Sequence, residues 1–475
     1  MLSALGLWVS RWTARLLPEP FVIAVILTLV AAVLSLALGP FPKLHDPSIS
    51  EKTFALLDSW RSGDGLWKFL AFSMQMCLIL VTGHALASSP PFRSLFRALS
   101  SLPRGTAGAA LLVCAVASLA SLLNWGLGLI VGAILARDVG RSLYLRGIRA
   151  HYPLIVAAGF AGFMVWHGGL SGSAPLSMTT MDSAVKVLPA QTIALLRERG
   201  MGSGLPLSLT LFSPLNGFVT LGLIVLIPLT SVLLSPRGPQ EMRGIADCAP
   251  SALPDVQIVP PETPAARTFA ERLDRSRVVN LFLAALLIAA FWRFGRSAGL
   301  GSVGLNEVNI GMLALGLVLH GTPRSYQAAI DEAARGCGGI MLQFPLYGGI
   351  LSMLVASGLD ARIAGALGTS TSPTVLPVIV YFLACALNML IPSGGGQWAV
   401  QGPIALEAGM RAGIEPGTMV MAVAYGDQTT NMLQVFWALP LLAITGVKAR
   451  DIVGYTALLM FVGMAWMVLG LVLFS

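Results

Sequence analysis

Apolar residues fall in long blocks along the chain, at roughly residues 21–39, 69–88, 106–123, 153–167, 205–235, 278–294, 303–321, 338–357, 373–391, 418–445 and 453–473. Most blocks approach the roughly 20 residues with which an α-helix crosses a bilayer. The pattern predicts an all-α, polytopic membrane protein of about ten to twelve transmembrane helices. Two blocks are longer than one span. Block 205–235 contains Pro214, Asn216 and Gly217, and block 418–445 contains Asp427, Asn431 and Pro440. Both read as broken helices. Residues 236–277 hold most of the continuous polar sequence, including the Pro-rich IVPPETP and six arginines. This is a loop between halves, which divides the chain into a first transmembrane repeat (1–235), the polar loop (236–277) and a second repeat (278–475).

The halves share an order of elements. Asn124, Pro153, Gly162 and Pro175 are spaced by 29, 9 and 13 residues; Asn388, Pro416, Gly426 and Pro440 by 28, 10 and 14. In each half an apolar helix leads to the Asn, a Gly-containing break follows, then an amphipathic segment and another apolar helix. Paired broken helices in repeats mark many secondary transporters. An odd span count per half would invert the repeats and an even count would make them parallel; the sequence leaves both open.

Composition sharpens the class. Of 475 residues, 52 are charged (30 Lys+Arg and 22 Asp+Glu), or 11%, and 55% are hydrophobic. So few charges exclude a soluble enzyme, a disordered chain and a nucleic-acid binder. The net charge of +8 reads as Lys and Arg gathered in cytoplasmic loops. Arg11 and Arg15, the segment with Arg93, Arg97 and Arg104, and residues 236–277 then share the cytoplasmic side. Residues 43–68, with four basic and four acidic side chains, fit the opposite side least clearly. The expected location is the bacterial cytoplasmic (inner) membrane. Cys77, Cys114, Cys248, Cys337 and Cys385 form no CxxC pair and read as small core residues. The N-terminal LSALGLWVSRWTARLLPEP lacks a signal-peptidase pattern and reads as an interfacial helix.

Three stretches can carry chemistry. In NMLIPSGGGQWAVQGPIALEAG, Asn388 to Gly409, Pro392, Ser393 and Gly394, Gly395 and Gly396 interrupt an apolar helix. Each Gly costs up to about 1 kcal/mol in a helix and an interior Pro about 3. A broken backbone at membrane depth must be buried or line a wet cavity. A helix restarting at Gln397 would aim free N–H groups at an anion. A loop at the membrane surface is the plainer alternative. The counterpart in the first half is Asn124, Gly126 and Gly128, which an ordinary packed helix would also accommodate. Arg137, Asp138 and Arg141 after it suggest an amphipathic helix.

The second stretch is AYGDQTTNMLQVFWALP. Asp427 within a span costs about 2.5–3.5 kcal/mol on insertion scales, so it should face a cavity, an ion or a partner. With Gln428, Thr429, Thr430 and Asn431, and with carbonyls freed at Gly426, it forms an oxygen-rich place for Na⁺. Asp427 can equally carry a proton, or simply cap a helix beginning at Gln428. The third stretch, MVWHGGLSGSAPLS, holds His167, Gly168, Gly169, Ser171 and Ser173. His167 can donate to a carboxylate or relay a proton, or be a hydrogen-bonded packing residue like His84 and His320 near span ends. GTSTSP, residues 368–373, reads as a helix cap.

Enzyme signatures are absent: there is no H-E-x-x-H, no P-loop, and no G-x-S-x-G elbow following a strand. No cofactor is expected. Gradient-driven transport is the remaining class.

At this point a family resemblance enters. IPSGGGQWAVQGP, GDQTTNMLQVFWALP, NWGLGLIVGA and HYPLIVAAGFAGFMVWHGGLSGSAPL resemble the bacterial short-chain fatty acid transporter family, over most of the chain. That family is similar to a wider superfamily of ion-coupled anion transporters with inverted repeats and re-entrant hairpins, often dimeric. The resemblance implies uptake of small monocarboxylates such as butyrate or acetoacetate, driven by H⁺ or Na⁺, in a homodimer. Two positions depart from the family pattern: an aromatic is expected where Thr429 stands and a proline where Val435 stands. The first bears on substrate size or ion preference.

The assembled expectation is a substrate carboxylate between the Asn124–Gly128 and 393–397 breaks, held with Asn388, Ser393 and Gln397. His167, Gly168, Gly169, Ser171 and Ser173 line the opposite wall, and Asp427 to Asn431 hold the coupling ion. A different small organic anion is the rival substrate. A dicarboxylate would need a further buried cation, and the apolar blocks offer only Arg293, near a block end. A membrane-embedded enzyme is the remote alternative.

Overall fold

The computed structural model describes residues 20–63, 65–68, 70–185, 188, 190–253, 268–298, 305–359, 362, 372–389 and 394–474. The described residues contain helices and connections and no strand. The principal helices are α1 (Pro20–Leu38), α2 (Ile49–Arg61), α3 (Leu70–Ala87), α4 (Pro90–Ser101), α5 (Thr106–Leu123), α6 (Trp125–Leu145), α7 (Tyr152–Ala161), α8 (Ser173–Ser177), α9 (Ala190–Glu198) and α10 (Pro214–Leu233). In the second half they are α11 (Arg277–Ala298), α12 (Leu305–His320), α13 (Pro323–Ala334), α14 (Gly338–Ser357), α15 (Val375–Asn388), α16 (Gly394–Arg411), α17 (Pro416–Thr430), α18 (Val435–Thr445) and α19 (Ala449–Leu473). Five described segments are long and apolar enough to cross a bilayer: Thr106–Leu123, Tyr152–Ser177, Pro214–Leu233, Arg277–Ser297 and Ala449–Leu473. Shorter apolar helices accompany them at Ala24–Leu38, Ser73–Leu86, Asn309–His320 and Val375–Asn388. Val278, Phe282 and Trp292 on α11 are exposed, as lipid-facing side chains are.

Hydrogen bonds between helix ends divide the molecule into two ends. At one, the His151 N–H before α7 donates to Thr106 Oγ1 at the start of α5. Tyr152 OH donates to the Thr445 carbonyl at the end of α18. Arg243 pairs with Asp451 of α19 at 2.8 Å. Arg146, at the end of α6, donates to the Ser101 and Pro103 carbonyls. This basic end also carries Arg93, Arg97, Arg137 and Arg141. At the other, a side chain at Gly417 would strike the Leu209 carbonyl near the start of α10. There Gly470 of α19 abuts Val219, Thr192 of α9 donates to Glu407 of α16, and Arg199 donates to the Met410 carbonyl.

Helices α5 and α6 therefore leave from and return to the basic end, joined only by Asn124. Helices α15 and α16 do the same from the other end. Gly128 makes the first hairpin possible, because a Cβ there would lie 1.9 Å from Ser121 Oγ. Gly162 and Gly426 occupy matching roles. A Cβ on Gly162 would lie 2.5 Å from Ala117 Cβ of α5, and one on Gly426 would lie 2.3 Å from the Tyr381 carbonyl of α15. Close backbone approach of this kind replaces the hydrophobic driving force that lipid removes.

Three expectations change. Block 205–235 is not broken at Pro214–Gly217. Ser213 caps the helix, accepting from the Asn216 N–H, and Pro214 is its first residue; α10 then runs unbroken through Pro228. Proline is tolerated there because the first N–H of a helix has no intrahelical partner. Gly426 does not release its carbonyl: it lies inside α17, and its carbonyl accepts from Thr430 Oγ1. The glycine serves packing instead. Asp427 likewise lies within α17 and does not cap a helix at Gln428. Block 418–445 is broken as expected, into α17, a 3-10 turn at Asn431–Leu433 and α18. The N-terminal segment and residues 368–371 lie outside the described residues.

Gly426→Ala should lower the melting temperature of the detergent-solubilised protein by an amount matching about 1–3 kcal/mol of overpacking. Gly217→Ala, where nothing lies within 4 Å of the new methyl, should leave it unchanged or raise it. A second outcome concerns the basic end. His151 Nδ1 accepts from the Arg243 N–H, and its Nε2 meets Tyr455 OH at 2.9 Å. Burial, reinforced by Arg243, pushes its pKa down to about 4. The folded state therefore binds fewer protons than the unfolded state between that value and the ordinary value near 6.5. Stability should fall as pH drops through this window, by an amount on the order of 3 kcal/mol. His151→Gln should flatten the dependence, as read by thermal unfolding across pH.

Candidate functional site

The two broken helices meet in the middle of the molecule. Helix α7 tightens into a 3-10 turn at Gly162–Gly168 and crosses the end of α17. Across this contact the His167 N–H donates to Gln428 Oε1 (3.0 Å), and Trp166 Nε1–H donates to Asn431 Oδ1 (2.9 Å). His167 Nδ1 lies 3.0 Å from Asp427 Oδ2, with both side chains almost fully buried. The contact is close but poorly aligned for a hydrogen bond, and neither atom has another partner among the described residues. His167 Nε2 accepts from the Ala174 backbone N–H at 3.1 Å. A nitrogen that accepts carries no proton, so the imidazole is neutral with its proton on Nδ1, facing the carboxylate.

The glycine run reaches the same place. Helix α16 begins at Gly394, so Gly394, Gly395 and Gly396 form its first turn, and the restart comes earlier than Gln397. A Cβ on Gly394 would lie 2.8 Å from Asp427 Oδ2, 2.9 Å from the Trp166 ring and 3.1 Å from Ser173 Oγ. Only glycine lets this turn approach the carboxylate. Ser393 lies outside the described residues. Gln397 is buried: its Nε2 donates to the Ala384 carbonyl and to Gln401 Oε1, while its Oε1 has no partner among the described residues. Asn388 Nδ2 donates to the Asp427 carbonyl and to Thr430 Oγ1, and Gln434 donates to the Asn388 carbonyl.

The first hairpin tip stands behind this centre. Asn124 Oδ1 accepts from the N–H groups of Gly126 and Leu127, capping α6, so Gly126 and Gly128 belong to a helix. The Trp125 N–H donates to Ser171 Oγ, and the Leu170 N–H to the Leu122 carbonyl. Gly169 is pressed against that carbonyl, and Gly168 against Thr220 and Asn216. Trp166 stands between tip and carboxylate, stacked on His167 at 4.1 Å and on Phe163 at 5.7 Å. Trp125 and Trp437 extend the wall, 5.1 Å apart.

Of the expected residues, His167, Ser173, Gly394 and Asp427 come together at one point. Gln428, Thr430, Asn431 and Asn388 surround it with their polar atoms engaged, except Asn388 Oδ1, which has no partner among the described residues. Asn124, Gly126, Gly128, Gly168, Gly169 and Ser171 build the tip behind Trp166. Thr429 points away: its hydroxyl contacts Tyr381 OH (2.9 Å) and Met467 Sδ (3.1 Å) and donates to the Tyr425 carbonyl. Its substitution for an aromatic therefore bears on helix packing before it bears on the site.

Residue-by-residue reading missed Trp166 and the Asn216–Tyr425 pair. Asn216 donates to the Gly168 and Leu211 carbonyls and accepts from Thr220 and Tyr425, tying the His167 turn to α10. A buried Asn within an apolar block was the available signal. Gln401, four residues after Gln397 and bonded to the Val380 carbonyl, was legible from helical spacing alone.

The sequence profile described as short chain fatty acid transporter matches residues 1–474. The provisionally named short-chain fatty acid transporter of Escherichia coli (strain K12) is 39% identical over the full length of both chains. Its namesake from Haemophilus influenzae (strain ATCC 51907 / DSM 11121 / KW20 / Rd) is 33% identical over 96% of each. Two solved transporters align over most of their length. The YdaH transporter of Alcanivorax borkumensis, with an unusual topology, has a TM-score of 0.41 and 18% identity, over 96% of this chain and 97% of that one. MtrF of Neisseria gonorrhoeae, described within a class of antimetabolite efflux pumps, has a TM-score of 0.37 and 17% identity, over 98% and 96%.

Asn388→Ala removes both bonds made by the Asn388 amide. It should destabilise the protein by roughly 1–3 kcal/mol, read as a lower melting temperature in detergent. An unchanged melting temperature would mean that the amide does not hold Asp427 and Thr430 in place.

Proposed function

Because the chain belongs to the short-chain fatty acid transporter family, we propose that it takes up small monocarboxylates such as butyrate or acetoacetate by coupling them to H⁺ or Na⁺. The protein is a multi-pass membrane transporter and not an enzyme. One observation carries the coupled reading: two buried, chemically complementary atoms, Asp427 Oδ2 and His167 Nδ1, face each other where both broken helices and the α16 glycine turn converge. The hairpins approach from opposite ends, which supports two inverted repeats flanking residues 236–277. The excess of arginine at the α4–α6 end supports placing that end in the cytoplasm of a bacterial inner membrane.

In this reading the substrate carboxylate approaches the N–H groups that open α16, and its short alkyl chain lies along the Trp166 and Trp125 rings. Proton bookkeeping favours H⁺ as the coupling ion. A cation at Oδ2 would meet the proton on His167 Nδ1. A proton added to Oδ2 also sets two donors against each other, unless the imidazole proton shifts to Nε2. That shift displaces the Ala174 N–H from the ring and frees the first turn of α8, beside Ser173 and Gly394. Loading the carboxylate is thereby linked to the wall of the substrate site. Loading one proton takes the pair from a charge of −1 to 0, the tautomer shift itself adds and removes none, and release of the proton on the other side restores −1.

The test is uptake of radiolabelled butyrate into proteoliposomes under an imposed H⁺ gradient, a Na⁺ gradient or neither. Accumulation should follow the H⁺ gradient. Asp427→Asn should abolish accumulation while retaining exchange of internal for external butyrate. Undiminished accumulation in that variant would remove Asp427 from coupling. Absence of butyrate uptake by folded wild-type protein under every gradient would sink the substrate assignment.

A further inference from the structure

Away from the membrane-centre site, a cavity of about 540 Å³ opens at the basic end between α3, α4, α6 and α13. A second cavity, of about 320 Å³, shares His84, Arg137, Arg141 and Glu332 with it. The charge along the wall of the larger cavity is unbalanced. Arg93 and Arg97 stand one helical turn apart on α4, and Arg137 and Arg141 one turn apart on α6. Like charges four residues apart on a helix repel, and here two such pairs share one cleft. The two acids on this wall offset only part of the charge. Asp138 is engaged by Arg137 at 3.1 Å, and Glu332 lies 3.8 Å from His84. Arg141 spends its Nε on the Ala252 carbonyl.

We propose that this cleft binds a phosphate-bearing anion, most naturally the headgroup of an anionic phospholipid. The planar guanidinium fork matches phosphate geometry, and four of them exceed what one carboxylate substrate needs. The placement points to lipid. Helix α4 occupies residues 90–101 between the end of apolar α3 and the start of apolar α5, which confines it to the membrane surface. Leu145, which lines the cleft, is 72% exposed, so an acyl chain finds an apolar side chain beside the charged pocket. Basic pockets between helices at the cytoplasmic face suit such headgroups. A bound phosphate would bridge α4 to α6, the arm whose tip Asn124 caps, and so steady the first hairpin.

The test is thermal unfolding of delipidated protein in neutral detergent, titrated separately with phosphatidylglycerol, phosphatidylcholine and inorganic phosphate. Phosphatidylglycerol should raise the wild-type melting temperature in a saturable way, and phosphatidylcholine should not. Each arginine near an anionic headgroup is worth about fivefold in affinity, so the R93Q/R97Q double variant should need roughly 25-fold more phosphatidylglycerol. Arg450→Gln, which removes an exposed charge from the same end but outside the cleft, should behave as wild type. If inorganic phosphate reproduces the shift with the same arginine dependence, the phosphate site stands and its ligand is soluble. Equal responses from wild type and the double variant, or an equal loss in R450Q, would overturn the site.

Discussion

An ionisable carboxylate buried at the centre of a membrane protein is the constraint on which this architecture turns. Among the described residues Asp427 is faced by His167, and the imidazole is held by a backbone N–H that leaves it a single tautomer. Placing a carboxylate at that depth costs a few kcal/mol, and the cost is met by geometry from both halves. Helix α7 must tighten into a 3-10 turn to bring His167 forward, α17 must end just beyond Asp427, and α16 must open with glycine to come alongside. None of the three elements would need its irregularity without the other two.

The irregular backbone creates its own demand, since carbonyls and N–H groups freed at membrane depth have no water to meet. Side-chain amides answer it. Asn388 covers the Asp427 carbonyl, Gln434 the Asn388 carbonyl, Gln397 that of Ala384 and Asn216 that of Gly168. This explains why Asn and Gln, uncommon in apolar spans, cluster here. They hold the breaks open, and only the atoms left over, such as Gln397 Oε1 and Asn388 Oδ1, remain for a ligand. Glycines complete the design from the opposite direction, by removing atoms where backbones cross.

Much of this was legible from sequence. Hydrophobic blocks marked the helices, and the break expected in block 418–445 falls just beyond the buried Asp427. What was not legible was direction. Whether Pro214 breaks a helix or starts one depends on the Ser213 hydroxyl finding the Asn216 N–H, a choice that composition does not express. Whether Gly426 frees a carbonyl or admits a neighbour depends on α15 passing 2.3 Å from the place of its missing Cβ. The side chain of Thr429 resisted prediction for the same reason: it lies two residues beyond Asp427 on α17, which turns it by about 200°, toward Tyr381 and Met467.

The two halves are related in layout and different in chemistry. Counting from the matched asparagines, His167 and Asn431 each lie 43 residues on (167 − 124 and 431 − 388), while Phe163 and Asp427 each lie 39 on (163 − 124 and 427 − 388). One half thus supplies an imidazole and an aromatic ring where the other supplies an amide and a carboxylate. Across the crossing His167 meets Asp427, and Trp166, the residue before His167, meets Asn431. Had both halves kept a carboxylate, two like charges would share one buried place and repel strongly in a medium of low dielectric. Here an imidazole, and not a second carboxylate, faces Asp427, with the Trp166 and Phe163 rings of the first half stacked beside it.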